Sequence, residues 1–238
     1  MSREVQLQPA YLLHSRPFRD TSVLLDFITR DYGRLSAIAR GARGIKSRTR
    51  GLLQPFIPLQ ITYAGRNELK SLRSVELLAQ GASLKGNQLF SALYMNELAT
   101  RLIHGHESDH ALYDTYEQSL QALSAAKHDV EPVLRSFELS LLEVLGYGVS
   151  LDHEAETGQA VEPDGEYHFQ HETGLVRLQG RQHDSRFPSY PGSEIIRISQ
   201  RDFSADSTRK LAKKLLRQIL SLYLGDRPLK SRQLFNRR

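Results

Sequence analysis

The apolar positions of this chain follow two different periods. Over the first eighty residues they come in short runs separated by turn signals. Residues 22–28 form one run, closed by Asp31-Tyr32-Gly33, where glycine can take a positive φ. Residues 34–40 then alternate polar and apolar, the mark of a half-buried strand. A third run covers residues 57–63, where Pro58 marks an edge or a strand start, and Gly65-Arg66-Asn67 turns the chain into a fourth at 69–75. Four or five short strands with one long connection predict a small barrel or sandwich, and a barrel leaves no sheet edge open.

From about residue 86 the period becomes helical. Leu89, Phe90, Leu93, Tyr94, Leu98 and Leu102 make one apolar stripe, ended near Gly105. Ala111, Leu112, Tyr116, Leu120 and Leu123 make a second. Pro132 sits where a first helical turn tolerates it, and Leu134, Phe137, Leu141 and Leu145 then face one way up to Gly146, a natural stop. A last helix is predicted from Asp206-Ser207 to Gly225, apolar on Leu211, Leu215, Ile219 and Leu222 and basic on Lys210, Lys213, Lys214 and Arg217. Residues 150–193 show weak periodicity and many Gly, Pro, His and acidic residues, with one strand read at 175–178. The predicted plan is α+β: a β domain over residues 1–80, then a helical domain over 81–238 carrying a loop-rich insert at about 150–193.

Composition narrows what such a plan can do. The 238 residues suffice for one large domain or two small ones, and 39% apolar with 25% charged residues describes a globular chain. Without cysteine there is no disulfide scaffold, thiol nucleophile, iron–sulfur cluster or thiolate zinc site. Glu4 interrupts any signal-like start, and no segment approaches the roughly 18 apolar residues of a membrane span, so a cytoplasmic location is expected. The net charge of +5 is unevenly placed: residues 1–80 carry +7, residues 81–150 and 151–190 carry −5 each, and residues 191–238 carry +8. Basic ends around an acidic middle point to a polyanionic partner.

The clearest constellation lies between Gly33 and Gly51, where Arg34, Arg40, Arg43, Lys46, Arg48 and Arg50 occur without an acidic residue and Gly41 and Gly44 loosen the backbone. Cations on an adaptable connection of a small barrel suit nucleic-acid phosphates, whose counterions they release. Gly41-Ala42-Arg43-Gly44-Ile45-Lys46-Ser47 has two residues between its glycines where a P-loop needs four, so no ATPase is predicted. Thr157 stands where a metalloprotease after His153-Glu154 needs histidine, and where a calcium loop over Asp152, Glu154 and Glu156 needs glycine. His153, His168, His171 and His183 match no four-ligand spacing. No catalytic residue, metal or cofactor is therefore predicted. Arg101 and Arg135 are rare cations in the acidic middle. Each reads either as an internal ion pair, for instance with Glu138, or as part of a pocket for an acidic, apolar peptide end.

Several blocks resemble a known family. Leu12-Leu13-His14-Ser15-Arg16-Pro17, the stretch from Gly41-Ala42-Arg43 to Gly51-Leu52-Leu53-Gln54-Pro55-Phe56, and Leu72-Arg73-Ser74-Val75-Glu76 are similar to segments of the bacterial recombination mediator RecO. So are Leu93-Tyr94-Met95-Asn96-Glu97-Leu98, Arg135-Ser136-Phe137-Glu138-Leu139 with Leu145-Gly146-Tyr147-Gly148, and the closing run from Tyr223 to Phe235. The resemblance spans nearly the whole chain. It implies an N-terminal OB-fold barrel followed by an α-helical domain, binding of single- and double-stranded DNA, and annealing of complementary strands without ATP. It further implies docking on the acidic C-terminal tail of the single-strand-binding protein and, with RecR, help in loading RecA, all in the cytoplasm at the nucleoid. Arg135 falls at the basic position of the tail pocket that the family implies. Many relatives carry a four-cysteine zinc site in the insert, which a chain without cysteine cannot form.

These readings predict DNA contacts from Arg34, Arg40, Arg43, Lys46, Arg48 and Arg50 and from Lys210, Lys213, Lys214 and Arg217, with Arg135 and Arg101 toward the protein tail. A different class remains open: a metal-dependent nucleic-acid-processing enzyme using the acidic insert at residues 152–166. A third is an interaction scaffold that binds proteins and no DNA.

Overall fold

Alternation closes the first strands into a ring. In the computed structural model, which describes residues 4–44, 47–104, 110–178 and 188–236, β1 (Glu4–Phe18) pairs antiparallel with β2 (Ser22–Thr29), and β2 with β3 (Gly33–Ala39). β4 (Leu59–Ala64) pairs antiparallel with β1 and with β5 (Leu69–Leu77), and a parallel β3–β5 pairing completes a closed barrel in the order β1-β2-β3-β5-β4. This is the OB-like barrel. Its core holds Leu12, Leu25, Phe27, Leu35, Ala37, Leu59, Ile61 and Tyr63, every second residue along each strand, as a closed sheet with one inner face requires. β1 is not among the predicted strands. Register shifts between Val5 and Gln8 and between Leu12 and His14 break its period of two, and Leu7 takes φ +53°.

The basic connection between β3 and β4 is anchored. Gly41 takes φ +69°, Ala42 is buried in the barrel core, and a one-turn helix, α1 (Arg48–Leu52), leads to Leu52 and Leu53, which pack on the same core.

Two helices then cover part of the barrel. α2 (Asn87–Leu102) and α3 (His110–Ala125) carry the predicted stripes, and Asn96 ties them to β1: its Nδ2 donates to the Leu13 carbonyl at 3.0 Å and its Oδ1 accepts from the Tyr116 hydroxyl. The Tyr11 ring centroid lies 5.5 Å from that of Tyr113 and 5.3 Å from that of Tyr116. A 3-10 helix, Lys230–Asn236, returns to α2, where the Glu97 carboxylate accepts from the backbone N–H of Lys230 (2.9 Å) and Ser231 (2.8 Å) and from the Ser231 hydroxyl (2.6 Å). The strand-to-helix switch falls between Leu77 and Asn87. The compact unit nevertheless runs on to Val130 and takes in the residues from Leu229.

Glu131–Pro228 form a second compact unit. α4 (Glu131–Val144) buries the predicted Leu134, Phe137 and Leu141 but also Arg135, Glu138, Leu139 and Leu142, so it is covered on most of its circumference. The described residues of the insert hold more regular structure than its periodicity suggests. The predicted strand is β7 (Gly174–Arg177), flanked on one side by β6 (Glu166–Gln170), which also pairs with β8 (Ser189–Pro191). α5 (Gly192–Ser199) follows directly; a Cβ at Gly192 would meet the Glu162 carbonyl oxygen at 1.9 Å, so only glycine fits there. α6 (Asp206–Leu224) ends at Gly225, as predicted, and buries Thr208, Ala212, Leu215, Leu216, Ile219 and Leu220. Leu211 and Leu222 of the expected stripe are only half-buried.

Candidate nucleic-acid interface

The outer face of β1, β2 and β3 is split between packing and exposure. Toward the helices, Asp26 of β2 accepts from the Ser36 hydroxyl at 2.5 Å and lies 3.6 Å from the Arg34 guanidinium. Nη1 of Arg34 donates to the Thr100 carbonyl at 2.6 Å and the Ile103 carbonyl at 3.1 Å, at the C-terminal end of α2, where a cation meets unsatisfied carbonyls and the negative end of the helix dipole. Its side chain is 24% exposed. Arg34, expected on a phosphate, is therefore engaged in holding α2 to the barrel.

At the other end of the same strands the face opens. Arg16 pairs across to Leu24, Leu24 to Ile38 and Ile38 to Ser71, so these four share one row of the outer face. One step further, Phe18 pairs with Ser22, and Arg40 leaves the end of β3. Arg16, Arg19, Arg40, Arg43 and Arg73 are exposed around this end, and Arg50 is exposed on α1. Among the described residues, Arg16, Arg40, Arg50 and Arg73 make no ion pair. Arg43 also clamps the β1–β2 turn, since its Nη1 donates to the carbonyls of Arg19 (3.0 Å) and Asp20 (3.1 Å) and its backbone N–H donates to the Thr21 carbonyl. Lys46 lies outside the described residues, and of Arg48 only its place in α1 is described. Arg16, Arg19 and Arg73 are not singled out by the sequence. The missing signal is topological, since only the β1–β2 and β3–β5 pairings bring them beside Arg40.

The basic ridge of α6 is differently placed. Lys210 reaches Asp206 at 2.7 Å, Lys213 reaches Glu131 at 2.6 Å, and the Lys214 ammonium stands 5.9 Å from the centre of the Tyr190 ring. The Asp206 carboxylate raises the Lys210 pKa, while Lys210 and Arg209 hold that of Asp206 below its ordinary value. Arg217 is exposed. Three of the four predicted cations thus already face an acid or an aromatic ring.

Arg135 is buried within α4, 4% exposed, and its Nη2 donates to Glu138 Oε1 at 2.9 Å. Its Nε and Nη1 have no hydrogen-bond partner among the described residues. Arg101 is half-buried in the last turn of α2, in the other compact unit, where its charge helps to lower the pKa of Glu97.

In the insert, the acidic residues do not converge. Glu154 is buried, accepts from the Thr157 hydroxyl at 2.8 Å and lies 3.9 Å from Arg177, which also pairs with Glu162 at 2.6 Å. Asp152 and Glu156 are exposed. Among the described residues no three His, Cys, Asp or Glu side chains gather as a metal site. A chain without cysteine does not fit the thiolate zinc site that the resemblance implies for many relatives, and Arg177 links Glu154 and Glu162 in this part of the insert.

Comparison with known proteins decides the family. Residues 1–80 match the family described as Recombination protein O N terminal, and residues 84–233 match Recombination protein O C terminal. The chain belongs to the RecO family. It is 40% identical over 233 residues to DNA repair protein RecO of Psychromonas ingrahamii, covering 97% of this chain and 98% of the relative. It is 39% identical over 233 residues to that of Tolumonas auensis, covering 98% and 96%, and 40% identical over 228 residues to that of Yersinia pestis, covering 96% and 93%. Several blocks that resemble RecO have structural roles here: Asn96 joins the block at 93–98 to the carbonyls of the block at 12–17, and Glu97 holds Lys230 and Ser231 of the closing run. Among the described residues no helix is long and apolar enough to cross a membrane.

Proposed function

We propose that this chain is a DNA-binding recombination mediator acting in DNA repair in the cytoplasm, at the nucleoid. It binds single- and double-stranded DNA and anneals complementary strands without ATP. It docks on the acidic tail of the single-strand-binding protein and, with RecR, promotes RecA loading. The observation that carries the reading is the set of exposed arginines Arg16, Arg40 and Arg73 at one end of the barrel strands, with Arg50 on α1, which make no ion pair among the described residues. Such cations neutralise phosphates and lower the repulsion between two strands; base pairing then supplies the driving free energy, and no bond is made or broken in the protein. Lys210, Lys213, Lys214 and Arg217 are assigned to a second, weaker DNA surface. Arg135 supports the tail reading, because a terminal carboxylate would satisfy guanidinium N–H groups that are buried without partners among the described residues. Arg101 is assigned to the same role on its position alone.

The deciding experiment follows annealing of two complementary labelled oligonucleotides without ATP, with Mg²⁺ or chelator, and reads strand length on a gel. Faster pairing of intact strands, indifferent to chelator and suppressed by salt, is expected. With about five phosphates engaged, log K falls against log salt with a slope of about −3 to −4 on single strands. A flat salt dependence overturns the reading, and shortened strands that need Mg²⁺ replace it with a nuclease. For the tail, Arg135→Ala combined with Glu138→Gln, so that no lone charge stays buried, abolishes binding of the acidic peptide and spares naked DNA. Equal losses on both contradict a separate pocket.

A further inference from the structure

At the end of β1, beside the turn into β2, stands an aromatic ring outside the barrel core cluster. Phe18 lies directly across from Ser22, one residue from Val23, which packs on the barrel core. Alternation therefore turns Val23 inward and the Ser22–Phe18 pair outward. Phe18 is half-buried, and the Arg19 guanidinium stands over its ring, 5.4 Å from the centre. The turn beside it is held in place: Arg19 takes φ +52°, and Arg43 binds the carbonyls of Arg19 and Asp20. Arg16 lies two residues back on the same outer face, and continuing the β2–β3 register past Val23 and Ala39 sets Arg40 beside Ser22. Asp20, at the tip, is the acid against these cations.

Resting on the DNA-binding reading above, we propose that Phe18 is a stacking site for one unpaired nucleobase of a single strand, with Arg19 over the ring and Arg16 and Arg40 on the flanking phosphates. An apolar ring surrounded by cations fits a ligand that is itself a flat π-surface strung on phosphates. Duplex DNA cannot use the ring, because its bases already stack on one another. Stacking engages the face of a base and leaves its pairing edge free. A strand held this way can meet its complement while still bound, which is what an annealing protein needs and what binding through pairing edges would prevent.

The test compares Phe18→Leu, which keeps an apolar side chain without a π-face, and Phe18→Trp with the unaltered protein. Binding is measured on a single strand containing 2-aminopurine, on the same strand with abasic sites, and on duplex. Phe18→Leu is expected to weaken single-strand binding about tenfold and to abolish the 2-aminopurine quenching caused by stacking. Duplex affinity and the salt slope stay within about twofold, and Phe18→Trp restores both single-strand signals. The difference between variants disappears on the abasic strand. Equal loss on single strand and duplex, or full single-strand affinity in Phe18→Leu, overturns the stacking site while DNA binding itself stands. An unaltered protein that binds no DNA overturns the reading beneath it.

Discussion

The barrel end and the α6 ridge carry similar numbers of cations and differ in what those cations face. At the barrel, Arg16, Arg40 and Arg73, with Arg50 on α1, stand exposed and without an ion pair among the described residues. On α6, Lys210 and Lys213 hold carboxylates at 2.7 and 2.6 Å and Lys214 lies over a tyrosine. A phosphate arriving at these four arginines meets charge without an ion-pair partner among the described residues. One arriving at Lys210 or Lys213 of α6 has to displace Asp206 or Glu131. Counting basic residues along the chain treats the two regions alike, whereas the competition for each cation separates them.

The comparison breaks or sharpens as its members are removed. The largest effect is expected from changing Arg40, Arg43, Arg48 and Arg50 together to Ala: DNA affinity falls by about two orders of magnitude on every sequence, and the single-strand salt slope flattens by about 3, read by fluorescence anisotropy at several salt concentrations. Unaltered affinity places the DNA surface elsewhere. Arg34→Ala, inside the same basic segment, acts on the fold: losing two charge-assisted bonds to the end of α2 lowers unfolding stability by about 2 kcal/mol, measured by denaturant titration. A loss of DNA affinity without a loss of stability would return Arg34 to the phosphate surface. Changing Lys210, Lys213, Lys214 and Arg217 together to Ala weakens DNA binding by about threefold, and a loss as large as that of the barrel set would erase the contrast.

The smallest effect concerns pH. Burial raises the Glu97 pKa, but hydrogen bonds from Ser231 and Lys230, with Arg101 nearby, outweigh it and leave the group below its ordinary value. A carboxylate depressed in the folded state contributes stability that is complete above its unfolded pKa and lost as pH falls through the folded one. Unfolding stability should therefore decline on acidification below the ordinary glutamate range, and Glu97→Gln should reduce the slope of that decline. An identical slope in the variant assigns the acid sensitivity to other carboxylates.

Much of the fold is legible in the sequence because its signals are local. β2, β3 and β5 and the helices α2, α3, α4 and α6 follow from periodicity and from Gly33, Gly146 and Gly225 at their ends. β1 is not, because its bulges shift the inward face twice and Pro9 and Pro17 read as breakers. α1 and α5 are short, begin without a side-chain cap, and contain Gly51 or start at Gly192, each of which reads as loop. The site divides the same way. The cluster of arginines is visible as composition, and Asp206 lies one helical turn before Lys210 in plain sight. The Thr100 carbonyl under Arg34, the Asp20 carbonyl under Arg43 and Glu131 beside Lys213 come from distant sequence, and no spacing rule announces them.

The return of residues 230–236 to Glu97 also sets a timetable for biosynthesis. On the ribosome, the barrel and its two helices emerge first, yet their unit lacks a closing piece until every residue of Glu131–Pro228 has been translated. The later unit is thus complete before the earlier one, and a nascent chain stalled within it exposes the α2 surface that the 3-10 helix later occupies.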